Sequence, residues 1–401
     1  MKKLVSFFAL TLLVTSFATT DVHAQSTTDS TFKPHWSING QLFADYYYVM
    51  AADTFAGKKG STYYEPNANI SGTANSRYYQ AFDLRRVQFG ANYWFTPNII
   101  SKFLLEHESG AAGTTPPTGG GDVLGDAKRG MYVKEASITF VNAIPMANLI
   151  FGQQATNVFS VDEGLMGFRS LEKSIIDERG MSEAGSNDLG IQLAGNFDND
   201  KNYGYSALIS NGTGAKDETD KYKAFTGEVN AKFMDKHIVV DISGDYMDKA
   251  NATTTINKDT IKGVAQSNSL LKVAAAYTSS AITGGVVYAM HTLTGQSGTT
   301  SGGDAEQTGL SFFIRGQIIE KQLNFFARYD IFDPDSKEST DNALGRKENL
   351  LIIAIDWVPD VAAQNVHVMP NFWMDMFKDK SSAGASYESI VVPRLTFSYK
   401  F

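Results

Sequence analysis

Val391-Val392-Pro393-Arg394-Leu395-Thr396-Phe397-Ser398-Tyr399-Lys400-Phe401 closes the chain. Counted back from the end, every second residue is apolar or aromatic: Phe401, Tyr399, Phe397, Leu395, Pro393, Val391. The alternate set, Lys400, Ser398, Thr396, Arg394 and Val392, is polar but for one residue. A strict period of two marks a strand with one apolar and one wet face. This strand runs to the last residue, where a soluble chain would usually fray. A transmembrane barrel has a physical reason for such an ending. Its last strand must pair with its first, because an open edge in lipid leaves backbone groups unsatisfied. The final strand of a soluble β-sandwich is the competing explanation.

The rest of the chain favours the barrel. Strands are expected at about 35–50, 80–96, 99–108, 130–141, 148–157, 187–197, 203–211 and 223–234. The second half continues with 237–247, 269–278, 281–291, 308–319, 322–332, 348–357, 364–377 and the closing strand. Connections after odd strands are long and rich in Gly, Ser, Thr and Asn, including 51–77, 109–129, 158–186 and a loop to about 268. Connections after even strands are short. Outer-membrane barrels show this asymmetry of long external loops and short periplasmic turns. An even strand count lets both ends meet on one side. The fold class expected is therefore all-β, a transmembrane antiparallel barrel of about sixteen strands. A sandwich gives no reason for the alternation of loop lengths.

Composition agrees. The chain of 401 residues holds 26 Phe, 18 Tyr, 4 Trp, 35 Gly and no Cys, and its net charge is −8. The acidic balance argues against nucleic acid as a partner. Lys2 and Lys3, the apolar run from Leu4 to Phe17 and Val22-His23-Ala24 read as a signal peptide over 1–24, cleaved before Gln25. A polar extension over 25–34 and a single barrel over 35–401 follow. No other stretch carries about 18 consecutive apolar residues, as a spanning helix would need. The location implied is the outer membrane of a Gram-negative-type envelope. The partners implied are its lipid and the barrel-insertion machinery, which would meet the strand ending at Phe401.

A barrel of sixteen strands is too wide to be filled by its own side chains. An aqueous channel for small hydrophilic solutes is the default function. The 158–186 loop is the candidate constriction, carrying Asp162, Glu163, Arg169, Glu172, Lys173, Asp177, Glu178, Arg179 and Glu183. Folded inward, it would set a transverse field; the alternative is a solvated flap outside. Alternation points Arg86, Lys102, Glu106, Arg315, Arg328, Asp356, Arg394 and Lys400 to the lumen. Its basic members would form an anion-attracting wall, or simply be charges that a wet lumen tolerates. No cofactor or metal is called for. There is no HExxH and no Gly-x-Ser-x-Gly, and nothing orients Ser101 and His107 as a dyad. Asp198-Asn199-Asp200 and Asp333-Pro334-Asp335 have the composition of turns.

Phe82-Asp83-Leu84-Arg85-Arg86-Val87-Gln88-Phe89-Gly90 resembles an early strand of the phosphate-selective porin O and P family. So does Asn148-Leu149-Ile150-Phe151-Gly152-Gln153-Gln154 before the long loop. Further similar stretches are Asn187-Asp188-Leu189-Gly190-Ile191-Gln192-Leu193-Ala194-Gly195 and Tyr203-Gly204-Tyr205-Ser206-Ala207-Leu208-Ile209-Ser210-Asn211-Gly212-Thr213-Gly214. The resemblance implies a sixteen-stranded, commonly trimeric porin with its third loop folded into the pore. Phosphate selectivity in that family rests on an arginine ladder and a lysine cluster. Neither is placed in this sequence, so no phosphate-binding residue is carried over. The functions to distinguish are a general diffusion porin, a channel selective for phosphate or small organic anions, and a non-conducting barrel whose external loops bind a partner. A membrane-embedded hydrolase would need a competent dyad.

Overall fold

A computed structural model describes residues 32–51, 78–108, 130–183, 185–256, 259–295, 304–337, 347–359, 365–377 and 388–401. The expected signal peptide and the 52–77 and 109–129 parts of the loops lie outside these residues. Residues 35–401 form one compact unit. Within it sixteen strands pair with their sequence neighbours, all antiparallel, and close into a barrel. They are β1 His35–Tyr48, β2 Gln80–Thr96, β3 Ile99–Glu108, β4 Tyr132–Ile144, β5 Ala147–Ala155, β6 Asn187–Asn196, β7 Tyr203–Ser210 and β8 Ala224–Phe233. The other half is β9 Ile238–Ile256, β10 Asp259–Thr278, β11 Ile282–Thr294, β12 Ala305–Ile319, β13 Leu323–Asp333, β14 Glu348–Trp357, β15 Val366–Phe377 and β16 Ile390–Lys400.

The closing seam is the one the terminal alternation calls for. Leu42 faces Tyr399, Ala44 faces Phe397 and Tyr46 faces Leu395. Gly40 and Phe401 exchange backbone hydrogen bonds of 3.0 and 3.1 Å. The Phe401 ring lies where a Cβ on Gly40 would stand, so only glycine fits there. We expect Gly40→Val to displace the terminal ring and lower the yield of closed barrel. The measurement is the heat-modifiable fraction on a cold gel, which should fall several-fold relative to the parent protein.

The outer wall is apolar all round the ring. Trp36, Phe89, Phe103, Ile191, Val229, Leu271, Tyr288, Phe312, Ile353 and Phe397 are all exposed. Such a continuous surface is stable only against lipid.

Two features correct the sequence reading. The loop expected up to about 268 is largely strand. β9 and β10 run on as a paired ribbon, with Tyr246 facing Ser269, Asp248 facing Ser267 and Thr255 facing Thr260. Backbone pairing beyond the lipid needs no apolar face, so the alternation that reveals a strand fades there. Second, alternation breaks at two β-bulges. On β2, Arg86 faces Phe43 and Leu84 faces Ala44, so Arg85 is the extra residue. On β4, Glu135 faces Leu104 and Val133 faces Leu105, so Lys134 is extra. A bulge turns two successive residues to one side. Arg85-Arg86 and Lys134-Glu135 are consequently all buried inside the barrel. An unbroken alternation would have sent one charge of each pair into lipid, at about 2–4 kcal/mol near mid-membrane for a basic residue.

A strap across the lumen as candidate functional site

Between β5 and β6 the chain makes a 3-10 turn at Asn157–Phe159, then α1 at Ser160–Met166 and α2 at Ile175–Glu178. The sequence sets these breaks. Gly167 ends α1 in the left-handed region at φ 71°, its N–H donating to the Glu163 carbonyl at 2.8 Å. Ser174 caps α2, its hydroxyl accepting from the Asp177 N–H. Thr156 N–H donates to the Ser186 carbonyl at 3.0 Å and pins the two ends of the segment together.

The segment lies inside the barrel. Val158, Phe159, Met166, Phe168, Leu171, Ile175, Ile176 and Met181 are buried in one cluster with the inner faces of β10 to β16. That wall contributes Leu270, Val287, Phe313, Phe326, Leu350, Ile352, Met369, Trp373 and Val392. The Phe168 and Phe326 rings stack at 4.8 Å. Each such side chain contributes about 1.5–3 kcal/mol when removed from water. The inner wall is thus apolar over nearly half the ring, where a wet lumen was expected. A signal for it stands in Leu350-Leu351-Ile352-Ile353-Ala354-Ile355, which does not alternate because Leu350, Ile352 and Ala354 pack inside the barrel while Ile353 and Ile355 lie on the apolar outer wall.

Polar fastenings hold the segment at opposite walls. On β10, the fully buried Lys272 ammonium lies 2.8 Å from Asp162 and 2.9 Å from Asp241 of β9, and also donates to the Val158 carbonyl. On β2, Arg85 pairs with Asp45 at 2.7 Å and donates to the carbonyls of Ser170 and Leu171. Strands β2 and β10 stand opposite one another in the ring. The segment is therefore a strap that crosses the full lumen. Further fastenings are Arg394 to the Leu171 carbonyl at 3.0 Å, Arg328 to the Lys173 carbonyl, Arg315 to the Leu165 carbonyl at 2.8 Å and Arg179 to Glu348 of β14. Ser182 donates to Asp245 at 2.6 Å, and Glu183 pairs with Lys249 at 2.7 Å.

The nine charges singled out on this segment therefore sort into two groups. Asp162, Glu172 and Glu178 are buried against the wall, as is the side chain of Arg179, and Glu183 binds the β9–β11 side. Glu163, Arg169, Lys173 and Asp177 keep part of their side chains in solvent, 15–23 % of each. They form a mixed-charge edge that reaches β3. Arg169 lies 3.2 Å from Glu163 and 3.3 Å from Asp177, and Lys173 lies 3.2 Å from Glu108. Burial is the largest influence on Glu163 and raises its pKa above the ordinary carboxylate range; Asp177 and Asp162 add to this, and Arg169 opposes it.

The lumen-facing candidates are interleaved with carboxylates and amides. Arg86 pairs with Glu106 at 3.2 Å and Glu108 at 3.1 Å, and Lys102 with Glu135 at 2.7 Å. Glu106 also receives Lys134 and the Tyr132 hydroxyl, both at 2.6 Å. Arg328 pairs with Asp330, Arg394 donates to Asn371 at 2.8 Å, and Asp356 is held by His367 at 3.0 Å. Arg85, Lys134, Glu135, Asp45, Lys272 and Asp241 were not among the candidates. For the bulged residues the signal is a jump in apolar phase, from Phe82 and Leu84 to Val87 and Phe89, and from Val133 to Ala136 and Ile138. Asp198 accepts from the N–H groups of Asn202 and Tyr203, and Asp333 from that of Asp335, both as turn formers. His107 engages the Gly130 carbonyl at 2.9 Å. Among the described residues no group of three or more His, Asp or Glu is arranged to hold a metal ion.

No family model matches this sequence, and no curated protein matches it. Solved structures do match. OmpF of Salmonella typhi, in complex with daunomycin, superposes with a TM-score of 0.59 at 11 % identity, over 91 % of this chain and 97 % of that one. The outer-membrane channel DcaP of Acinetobacter baumannii gives 0.58 at 10 % identity, over 92 % and 97 %. In-vitro folded OmpT of Vibrio cholerae, in a trimer form, gives 0.55 at 13 % identity, over 92 % and 100 %. At these identities the likeness is one of fold: a transmembrane barrel of the outer-membrane porin type.

Proposed function

We propose that this chain is an outer-membrane porin through which small hydrophilic solutes and ions diffuse passively, with the 158–186 strap as its constriction. The observation that carries this is the strap itself, fastened at opposite walls and presenting a partly solvated edge of alternating charge. Sieving by size and charge needs no chemistry, so no cofactor or catalytic residue is assigned. Solute contact is assigned to Glu163, Arg169, Lys173 and Asp177. The trimer form of one solved neighbour supports a homotrimer. A signal peptide over 1–24 and membership of the phosphate-selective porin O and P family rest on the sequence stretches quoted above; selectivity for phosphate is not part of the proposal.

The test is a planar-bilayer recording of the purified protein under a salt gradient. Ohmic steps support the pore, and the sign of the reversal potential reports anion or cation preference. A second reading follows from the apolar cover over β10 to β16: a sealed barrel whose external loops bind a partner. A folded, heat-modifiable protein that never conducts would select it. Glu163 supplies a further expectation. Its raised pKa means that it protonates at a higher pH than an ordinary glutamate, so acidification removes a negative charge from the constriction early. Anion preference should therefore rise on acidification, beginning at a higher pH than an ordinary glutamate would produce, and Glu163→Gln should show the acid-side preference already at neutral pH. An unchanged reversal potential in the variant would contradict this.

A further inference from the structure

Beneath the strap, on the short-turn side, lies a cavity of about 250 Å³. Arg315 of β12 and Lys400 of β16 both line it. So do the hydroxyl-bearing Ser170, Ser279 and Ser398. Arg315 differs from most lumen cations described above. Arg85, Arg86, Lys102, Lys134, Arg169, Lys173, Arg179, Lys272 and Arg328 each have a carboxylate within ion-pair distance. Among the described residues Arg315 and Lys400 have none. Arg315 commits only its Nε, to the Leu165 carbonyl at 2.8 Å. The guanidinium is also held in place: a Cβ on Gly167 would stand 3.1–3.2 Å from its Nε and Cζ, so the left-handed glycine that ends α1 packs directly on it. The two terminal nitrogens are left to the cavity. The carboxylate that shares the cavity, Asp356, is taken by His367 at 3.0 Å and by the Asn324 amide at 2.9 Å. The third cation of the lining, Arg169, is spread over Glu163, Asp177 and Glu108.

We propose that this vestibule is a binding subsite for a small monoanionic carboxylate, held by the free edge of the Arg315 guanidinium and the Lys400 ammonium. A planar carboxylate matches the guanidinium fork. Two cations against one carboxylate leave the cavity a single positive charge, which suits a monoanion. A phosphate dianion would bring a second negative charge into a cavity that already holds Asp356 and bind less well. The subsite would concentrate such anions at the inner mouth, and it rests on the pore reading only for that role in permeation.

The experiment uses the full folded protein in planar bilayers with chloride as carrier. Sodium acetate or inorganic phosphate is added to either side. Acetate should depress the chloride current, more strongly from the short-turn side and at lower concentration than phosphate. Arg315→Gln should raise the half-effect concentration, read against that variant's own chloride current because Arg315 also fastens the strap at Leu165, roughly 10-fold or more, the scale of losing a charged hydrogen bond. Lys400→Gln should give a smaller rise. The subsite is overturned if acetate acts equally on Arg315→Gln and the parent protein, or if phosphate acts at lower concentration than acetate. If the parent protein never conducts, the pore reading fails separately. Saturation-transfer NMR of acetate on the detergent-folded protein then decides: transfer lost in Arg315→Gln supports the subsite, and no transfer to the parent protein overturns it.

Discussion

Lys272→Met should release one end of the strap. The Lys272 ammonium is completely buried between Asp162 and Asp241, and it also donates to the Val158 carbonyl. Removing it leaves two carboxylates buried without a counter-charge, at a cost of about 3–5 kcal/mol. The β9–β10 backbone ladder around it stays intact, so the loss falls on the less strongly held partner, the 3-10 turn and α1. The expected result in bilayers is a higher and noisier single-channel conductance. Limited proteolysis should cut within 158–166 of Lys272→Met and spare the parent protein. Lys272→Met combined with Asp162→Asn and Asp241→Asn should recover much of the parent behaviour, because a neutral set of similar shape carries no stranded charge. A Lys272→Met channel indistinguishable from the parent would mean that this fastening does not hold the strap.

Arg85→Gln should release the opposite end. Arg85 neutralises Asp45, which is itself buried, and holds the Ser170 and Leu171 carbonyls. Asp45 then keeps only Arg394 and the Thr396 hydroxyl beside it, a smaller loss than the about 3–5 kcal/mol of a fully stranded charge, and the Ser170 carbonyl loses about 1 kcal/mol while Leu171 keeps Arg394. We expect a lower thermal transition for the folded barrel and a rise in conductance. The double variant Arg85→Gln/Lys272→Met should raise conductance by more than the sum of the single changes, since either fastening alone still restrains a strap tied at both walls. Additive effects would mean that the two ends move independently.

The barrel was readable because lipid imposes a period of two on every strand that crosses it. The seam through Gly40 and Phe401 and the rhythm of long and short connections follow from the same constraint. The reading faded where the constraint ends: the outer ribbon of β9 and β10 has no apolar face to betray it. Inside the barrel the limits were different. Alternation assigned Arg86 to the lumen but not Arg85, because a bulge adds a residue without changing composition. Loop charges were visible as a set, yet the separation of Asp162 and Arg179 from Arg169 and Lys173 depends on partners more than 100 residues away, such as Lys272 and Glu348. The apolar inner wall had a legible trace in the unbroken run Leu350 to Ile355, which an expectation of a wet lumen passed over.

The chain has no cysteine, so a single introduced thiol reports one position. The central claim is that the solvated edge of the strap borders the conducting path. Arg169→Cys should therefore be treated with a bulky cationic methanethiosulfonate during a bilayer recording, with Phe89→Cys on the lipid face as control. A stepwise fall in conductance at Arg169→Cys, reversed by reducing agent and absent at Phe89→Cys, is the predicted result. Complete modification of Arg169→Cys, verified by mass, with no change in current would contradict it and place the strap outside the path of ions.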